Sequence, residues 1–146
     1  HFYNFMDSTQ NPKRNKRMEK KIDFNIKLNY FDLSEFDQPG KPGSGKENMD
    51  INILMILDNM RNRSGIPYKI TSGYRDEEYN KSIGGVKNSS HCKGLAVDIA
   101  APTSKAKFLI IEAALHFGIQ RIGVGSNFIH IDIDDQDKPA KVCWTY

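Results

Sequence analysis

The stretch of sequence that decides the fold is residues 89–100, Ser-Ser-His-Cys-Lys-Gly-Leu-Ala-Val-Asp-Ile-Ala. Its second half, from Gly94 to Ala100, is apolar and partly β-branched, which predicts a buried strand. His91 stands just before this strand, and Asp98 lies within it between two apolar residues. A buried carboxylate is costly unless it is paired or bound to a metal. The stretch therefore predicts both a buried strand and a polar site on it.

The sequence on both sides alternates between helix and strand patterns. The predicted elements are a helix after an Asp50 cap that stops at Ser64-Gly65, a strand at 68–72, a short helix at 76–83, a helix from a Thr103 or Ser104 cap to Phe117, and strands at 121–124 and 128–134. The longer helices show apolar residues at helical spacing and a glycine just after their ends. This order predicts an α+β domain in which helices flank a mainly antiparallel sheet.

The N-terminal part of the chain differs in composition from the rest. Residues 11–21 hold six basic residues against the single Glu19, which predicts a basic, flexible arm over residues 1–22 and one catalytic domain over 23–146. The arm is interpreted either as a solvated leader or as a segment that binds an anionic polymer. Alternation at 26–31 predicts a short strand, and the Pro- and Gly-rich residues 38–45 predict a surface loop.

Composition limits the class of protein. The chain has 146 residues, of which 38% are hydrophobic and 27% charged, with a net charge of +3. These values predict a single globular domain, expected to be a monomer, with no membrane-spanning segment and no requirement for nucleic acid as a partner. Cys92 and Cys143 are too few for a four-cysteine zinc site, and one disulfide or two thiols both remain open.

Three residues have the chemistry of a metal site. His91 precedes the predicted strand at 94–100, and Asp98 lies within it. His130 lies between Ile129 and Ile131 in another predicted strand. Two imidazoles and a carboxylate are a suitable ligand set for catalytic zinc, which keeps one position for water. The alternative is two core histidines and a hydrogen-bonded aspartate. His116, within a predicted amphipathic helix, is interpreted as a helix-surface or half-buried residue.

Four motifs in order add to this hypothesis. Residues 89–98 reproduce the pattern S-x-H-x-x-G-x-A-x-D, and they are preceded by Thr71-Ser-Gly-Tyr-Arg75 and Ile83-Gly-Gly-Val86 and followed by Phe128-Ile-His-Ile-Asp132. Together they resemble the family of zinc D-Ala-D-Ala carboxypeptidases and L-alanyl-D-glutamate endolysin peptidases, whose fold is shared with hedgehog domains.

The resemblance implies one Zn²⁺ per chain, held by His91, Asp98 and His130. It also implies that Arg75 faces the substrate carbonyl and that Ser89 is a hydrogen-bonding neighbour in substrate binding. The expected activity is hydrolysis of an amide bond next to a D-amino acid in peptidoglycan stem peptides at the cell wall, by a carboxypeptidase or endopeptidase. The alternative is a non-catalytic, zinc-stabilised binding module on the same fold.

The sequence departs from the family pattern at the catalytic base. Some members of the family have an acidic residue where this chain has Asn127, and others have a histidine where it has Phe128. Asp132 lies two residues after His130 on the same strand face, so it is predicted to be catalytic. Its alternative role is to orient the imidazole of His130. Asp134 is expected to be solvated, and Cys92 to be a passive small side chain.

Overall fold

The computed structural model describes residues 26–146, so the predicted basic arm at 1–22 lies outside the described residues. The helices are α1 (Ser44–Asn48), α2 (Ile51–Ser64), α3 (Glu77–Ser82) and α4 (Ser104–His116), with 3-10 turns at Leu33–Phe36 and Ser90–Lys93. The strands are β1 (Ile70–Ser72), β2 (Ala96–Ala100), β3 (Arg121–Val124), β4 (Phe128–Asp132) and β5 (Val142–Thr145). None of the described helices is both long and apolar enough to cross a bilayer.

The five strands form one sheet in the order β1-β2-β4-β3-β5. The pairs β1–β2, β2–β4 and β3–β4 are antiparallel, whereas β3 and β5 are parallel. The predicted α+β class with a mainly antiparallel sheet is therefore confirmed. The central position of β2 and β4 agrees with their nearly complete burial.

One face of the sheet packs against the helices. Side chains alternate between the two faces of a strand, and on β2 and β4 the odd-numbered residues are apolar and have no exposed surface. They join apolar residues of α2 and α4, two helices that contact each other, in a single core. The fully buried members from these four elements are Val97, Ile99, Ile129, Ile131, Ile53, Leu54, Leu57, Met60, Ile110, Ala113 and Ala114.

The helices begin and end where their capping residues predict. The Asp50 side chain accepts a hydrogen bond from the Asn52 backbone, and the Thr103 side chain accepts one from Ala106, so each satisfies an N–H group that lacks a partner within the helix. Gly65 ends α2 with φ +68°, a conformation that glycine adopts without strain.

One prediction for the N-terminal half is wrong, and another is right only in part. Residues 26–31 form no strand, because the backbone N–H groups of Asn29 and Tyr30 donate to the Asp58 carboxylate of α2, at 3.0 and 2.9 Å. The predicted surface loop at 38–45 holds for residues 38–43, whereas its last two residues begin α1. Gly45 is buried there, and a Cβ atom at this position would lie 2.7 Å from the Phe36 backbone.

The strand β5 was not predicted from the sequence. It is short, and its residues alternate between half-buried and exposed. Its parallel pairing with β3 joins segments that are about twenty residues apart in sequence, which local periodicity does not indicate.

Candidate metal centre

The sheet register collects one row of side chains on the face away from the helices. Asp98 of β2 pairs with Ser72 of β1 on one side and with His130 of β4 on the other. His130 in turn pairs with Gly123 of β3, and Gly123 with Trp144 of β5. The row therefore places a carboxylate beside an imidazole in the middle of the sheet.

His91 reaches this row from the turn before β2. The side chain of Ser89 accepts a hydrogen bond from the His91 backbone at 3.3 Å and so starts the 3-10 turn. Gly94 ends the turn with φ +68°, and a Cβ atom there would collide with the backbone carbonyl of Asn48. This tight turn, held against α1, fixes the position of the His91 ring.

His91, Asp98 and His130 form one group of potential metal ligands. One ligand atom from each lies within 4.8 Å of the other two. The three residues are 3%, 9% and 7% exposed, so the group is almost entirely withdrawn from solvent. The structure thus brings together the three predicted ligands, which are up to 39 positions apart in sequence (130 minus 91).

The outer nitrogen of each ring has an acceptor of its own. His91 Nδ1 lies 2.7 Å from the Gly73 carbonyl oxygen, and His130 Nε2 lies 2.8 Å from Asp132 Oδ2. If each outer nitrogen carries the proton, the inner nitrogens present lone pairs. These inner nitrogens, His91 Nε2 and His130 Nδ1, are 3.3 and 2.8 Å from the same Asp98 oxygen. The donor set and its outer partners fit a zinc ion.

The charges at the centre stabilise one another. Burial raises the pKa of Asp98, but hydrogen bonds to His130 and His91 outweigh it and hold that pKa well below its ordinary value. Burial lowers the pKa of His130, while hydrogen bonds to Asp132 and Asp98 outweigh it and raise that pKa. In the metal-free protein the two carboxylates thus favour the protonated form of His130, and a bound cation would take over the role of that positive charge.

Arg75 lies next to the ligand group. Its Nη2 atom is 3.2 Å from Asp98 Oδ2, and its Nε atom donates to Ser72 Oγ at 2.8 Å. Nη1 donates to Asn80 Oδ1 at 3.3 Å. The side chain is 14% exposed, so these three acceptors fix a guanidinium at the edge of the site while leaving it in contact with solvent.

Asp132 is buried behind His130. It is 1% exposed, one oxygen faces His130 Nε2, and the other accepts from Arg121 Nε at 2.7 Å and from the Asp134 backbone at 3.1 Å. Burial raises the pKa of Asp132, but the hydrogen bond and charge of His130, the Asp134 backbone and the charge of Arg121 together outweigh it and lower the pKa. Both carboxylate oxygens are thus engaged with protein groups.

The expectation that Asp134 is solvated is wrong. Its side chain is fully buried, and its Oδ2 atom lies 2.8 Å from Ser90 Oγ and 2.9 Å from Lys93 Nζ. Lys138 Nζ is 3.3 Å from the same oxygen. Burial raises the pKa of Asp134, but these partners and the Gln136 backbone outweigh it and lower the pKa to about 2. Asp134 therefore ties the turn that carries His91 to the segment after β4.

A cleft of about 630 Å³ lies between α3 and the turn at Ser90–Lys93 that carries His91, and none of the three potential ligands lines it. Ser89 and Asn80 are among its lining residues, and Asn80 connects it to Arg75 through their hydrogen bond. Cys92 also lines the cleft and lies outside the group of potential ligands. Cys92 and Cys143 are both free thiols, which settles the open question of a disulfide.

Two residues that support the centre were not predicted from the sequence. Arg121 pairs with Asp132 across the β3–β4 hairpin, and the neighbouring strands predicted at 121–124 and 128–134 were the signal that could have indicated it. Trp144, the single tryptophan of the chain, packs its ring 5.5 Å from the His130 ring. No local pattern signalled this contact, because it depends on the parallel strand β5.

Two imidazoles and a carboxylate on a sheet face, beside a fixed guanidinium and an open cleft, define the class of a metal-dependent hydrolase centre. Residues 28–132 match the family model described as Peptidase M15, and the chain belongs to this family of zinc-dependent peptidases. Family and structure together confirm the resemblance stated from the motifs and its D,D-peptidase fold. A search of curated proteins finds no match to the chain.

Proposed function

We propose that this protein is a zinc-dependent peptidase that hydrolyses an amide bond next to a D-amino acid in peptidoglycan stem peptides, as a D,D-carboxypeptidase or an endopeptidase. The observation that carries the proposal is the group of His91, Asp98 and His130 on one face of a sheet, in a chain of the Peptidase M15 family. The expected partner is the stem peptide, and the protein acts at the cell wall.

In this proposal His91, Asp98 and His130 hold one Zn²⁺ per chain. When bound, zinc lowers the pKa of a coordinated water toward about 7 and polarises the carbonyl under attack. The protein contributes the orientation of its ligands: the Gly73 carbonyl and the Asp132 carboxylate each hold the outer nitrogen of one histidine. Such outer partners fix the ring positions and raise the basicity of the ligands.

Arg75 is proposed to stabilise negative charge that develops on the substrate carbonyl oxygen. Ser72 and Asn80 hold its guanidinium before substrate arrives, so little reorganisation is needed during the reaction. Ser89 is proposed to bind substrate at the mouth of the cleft. Its oxygen already accepts from the His91 backbone, which leaves its hydroxyl proton to donate to a peptide carbonyl.

For Asp132 the geometry favours the orienting role over that of catalytic base. A base must reach the attacking water, whereas Asp132 is 1% exposed and both its oxygens contact protein groups. In this role Asp132 keeps the proton of His130 on Nε2, so that Nδ1 presents its lone pair to the metal. Arg121 neutralises the buried carboxylate.

The second candidate is a binding module that holds zinc but has lost hydrolysis. It is favoured by Asn127 and Phe128, the residues found where the acidic or histidine bases of related enzymes are expected. Both candidates bind zinc, so metal content does not separate them, whereas the release of amine from substrate does.

The test is amine release from purified peptidoglycan by the zinc-loaded protein. We expect release by the wild type and none by Asp98→Ala, which lacks a ligand. Ile131→Val, a conservative change on the opposite face of β4, is the matched control and should retain release. A wild type that holds one zinc per chain yet releases no amine would contradict the peptidase and favour the binding module.

A further inference from the structure

Strand β5 and the residue after it bring two aromatic rings to the edge of the candidate metal centre. Trp144 of β5 pairs with Gly123 of β3, and Gly123 pairs with the ligand His130. A Cβ atom at position 123 would lie 2.8 Å from both the Trp144 ring and the Tyr146 ring. The absence of a side chain at Gly123 therefore lets both rings lie across β3, with the Trp144 ring beside His130.

The ring of Trp144 is held on several sides. Its centroid lies 5.5 Å from that of His130, and the Arg121 guanidinium carbon is 5.4 Å from it. The Tyr146 ring stands edge-on to Trp144 at 6.3 Å and is tilted against the Phe128 ring at 5.1 Å. Phe128, Trp144 and Tyr146 thus form a continuous surface, here called the aromatic wall.

Tyr146 is the solvent-exposed end of this wall. The residue is 70% exposed. Partial burial raises the pKa of Tyr146 and a hydrogen bond with the Trp144 side chain lowers it, whereas the charges of Asp98 and Asp132 raise it and that of Arg75 lowers it, so that the pKa is raised overall. The phenol therefore keeps its proton near neutral pH and is a hydrogen-bond donor.

We propose that the aromatic wall is a substrate-binding surface for the peptide at the scissile bond, with the Tyr146 hydroxyl donating a hydrogen bond to a peptide carbonyl. The inference rests on the proposed function. It assigns a role to Trp144 and Tyr146, which follow the residues 28–132 that match the family model. A small side chain such as the methyl group of D-Ala packs against the rings, which present a large rigid apolar surface. Arg75 and Ser89 lie on the opposite, β1 side of the ligand row.

The kinetic test uses the zinc-loaded full chain and the synthetic peptide L-Ala-D-Glu-L-Lys-D-Ala-D-Ala, which contains several bonds next to D-residues. Tyr146→Phe removes the hydroxyl and keeps the ring. It should lower kcat/KM by about tenfold, the effect of one hydrogen bond lost in the transition state, with zinc content unchanged. The matched control is Tyr30→Phe, which removes a hydroxyl that donates to Asn62 instead. It should keep the kcat/KM of the wild type.

A binding test separates failure of this inference from failure of the proposed function. Trp144 is the single tryptophan, so emission after selective excitation of tryptophan reports on the aromatic wall alone. Adding the peptide to the zinc-loaded wild type should change the emission in a saturable manner, even if no bond is cut, and Tyr146→Phe should require more peptide. An emission that does not respond to the peptide, or a Tyr146→Phe variant that matches the wild type in kcat/KM and binding, would overturn the inference.

Discussion

The two faces of strands β2 and β4 have opposite compositions although both are buried. On the helix side, Val97, Ile99, Ile129 and Ile131 have no exposed surface and belong to the apolar core. On the other side, Asp98, His130 and Asp132 are also 9% exposed or less, and each is held by hydrogen bonds to other polar groups. Within the same two strands, one face therefore contributes to the stability of the fold and the other carries the polar groups of the site.

The fold accommodates a buried polar site because the two faces of the sheet are stabilised in different ways. Burial of apolar side chains on the helix face stabilises the fold, because it removes their surface from water. A buried polar group destabilises the fold unless it is paired. In the described part of the chain, no buried side-chain nitrogen or oxygen lacks a hydrogen-bond partner. Changes on the two faces should therefore have different consequences.

The largest effect is expected from removing a ligand on the site face. His130→Ala should weaken zinc binding by more than about 100-fold, since losing even an outer partner of a ligand typically costs 10–100-fold. The measurement is competition titration against a zinc chelator of known affinity. Unchanged zinc affinity would remove His130 from the ligand set.

The next largest effect is expected on the helix face of the same strand. Ile131→Ala removes fully buried core atoms and should lower the free energy of unfolding by about 2–5 kcal/mol. Urea denaturation in the presence of chelator measures this change without a contribution from metal. The folded variant should bind zinc with nearly the affinity of the wild type. A large loss of zinc affinity under conditions in which it is folded would show that the two faces are not independent.

A smaller effect is expected from the carboxylate behind His130. Asp132→Asn keeps the shape of the side chain but removes the charge that faces His130 Nε2, so zinc affinity should fall by about 10–100-fold. The same variant distinguishes the two roles of Asp132. If Asp132 acts as the catalytic base instead, zinc affinity stays at the wild-type level while cleavage is lost.

The smallest effect is expected from Asp134, which lies outside the ligand set. Its pKa is lowered to about 2 in the folded protein against an ordinary value of 3.8, so the folded state favours the ionised form. The resulting stabilisation, about 2 kcal/mol, is fully present above the ordinary pKa and is lost as the pH falls toward 2. Thermal unfolding of the metal-free protein between pH 5 and pH 2 measures it. Asp134→Asn should flatten this dependence, and an equally steep profile in that variant would assign the acid sensitivity to other groups.

Much of the fold follows from local signals in the sequence. Asp50 and Gly65 delimit α2 because capping and a left-handed stop are properties of single residues and their neighbours. The run at 96–100 is a buried strand as its composition predicts. The segment at 26–31 was predicted wrongly because a distant partner, Asp58, takes its backbone N–H groups.

The residues of the candidate site that belong to sequence motifs were predictable. The motif at 89–98 indicated His91 and Asp98, and the strand motif at 128–132 indicated His130, and the structure groups all three. The burial of Asp134 was not predictable, since its partners Ser90 and Lys93 come from a turn more than 40 positions earlier in the chain (134 minus 93, and more for Ser90). The position of Trp144 likewise depends on a parallel pairing that no local pattern encodes.

The most direct test of the central claim is mass spectrometry of peptidoglycan fragments after digestion, with zinc bound and after removal of zinc by a chelator. With zinc bound we expect new fragment ends at a bond next to a D-amino acid, and we expect these ends to be absent after chelation and to return when Zn²⁺ is added back. Fragments that are identical in all three samples, from a protein that carries one zinc per chain, would contradict the central claim.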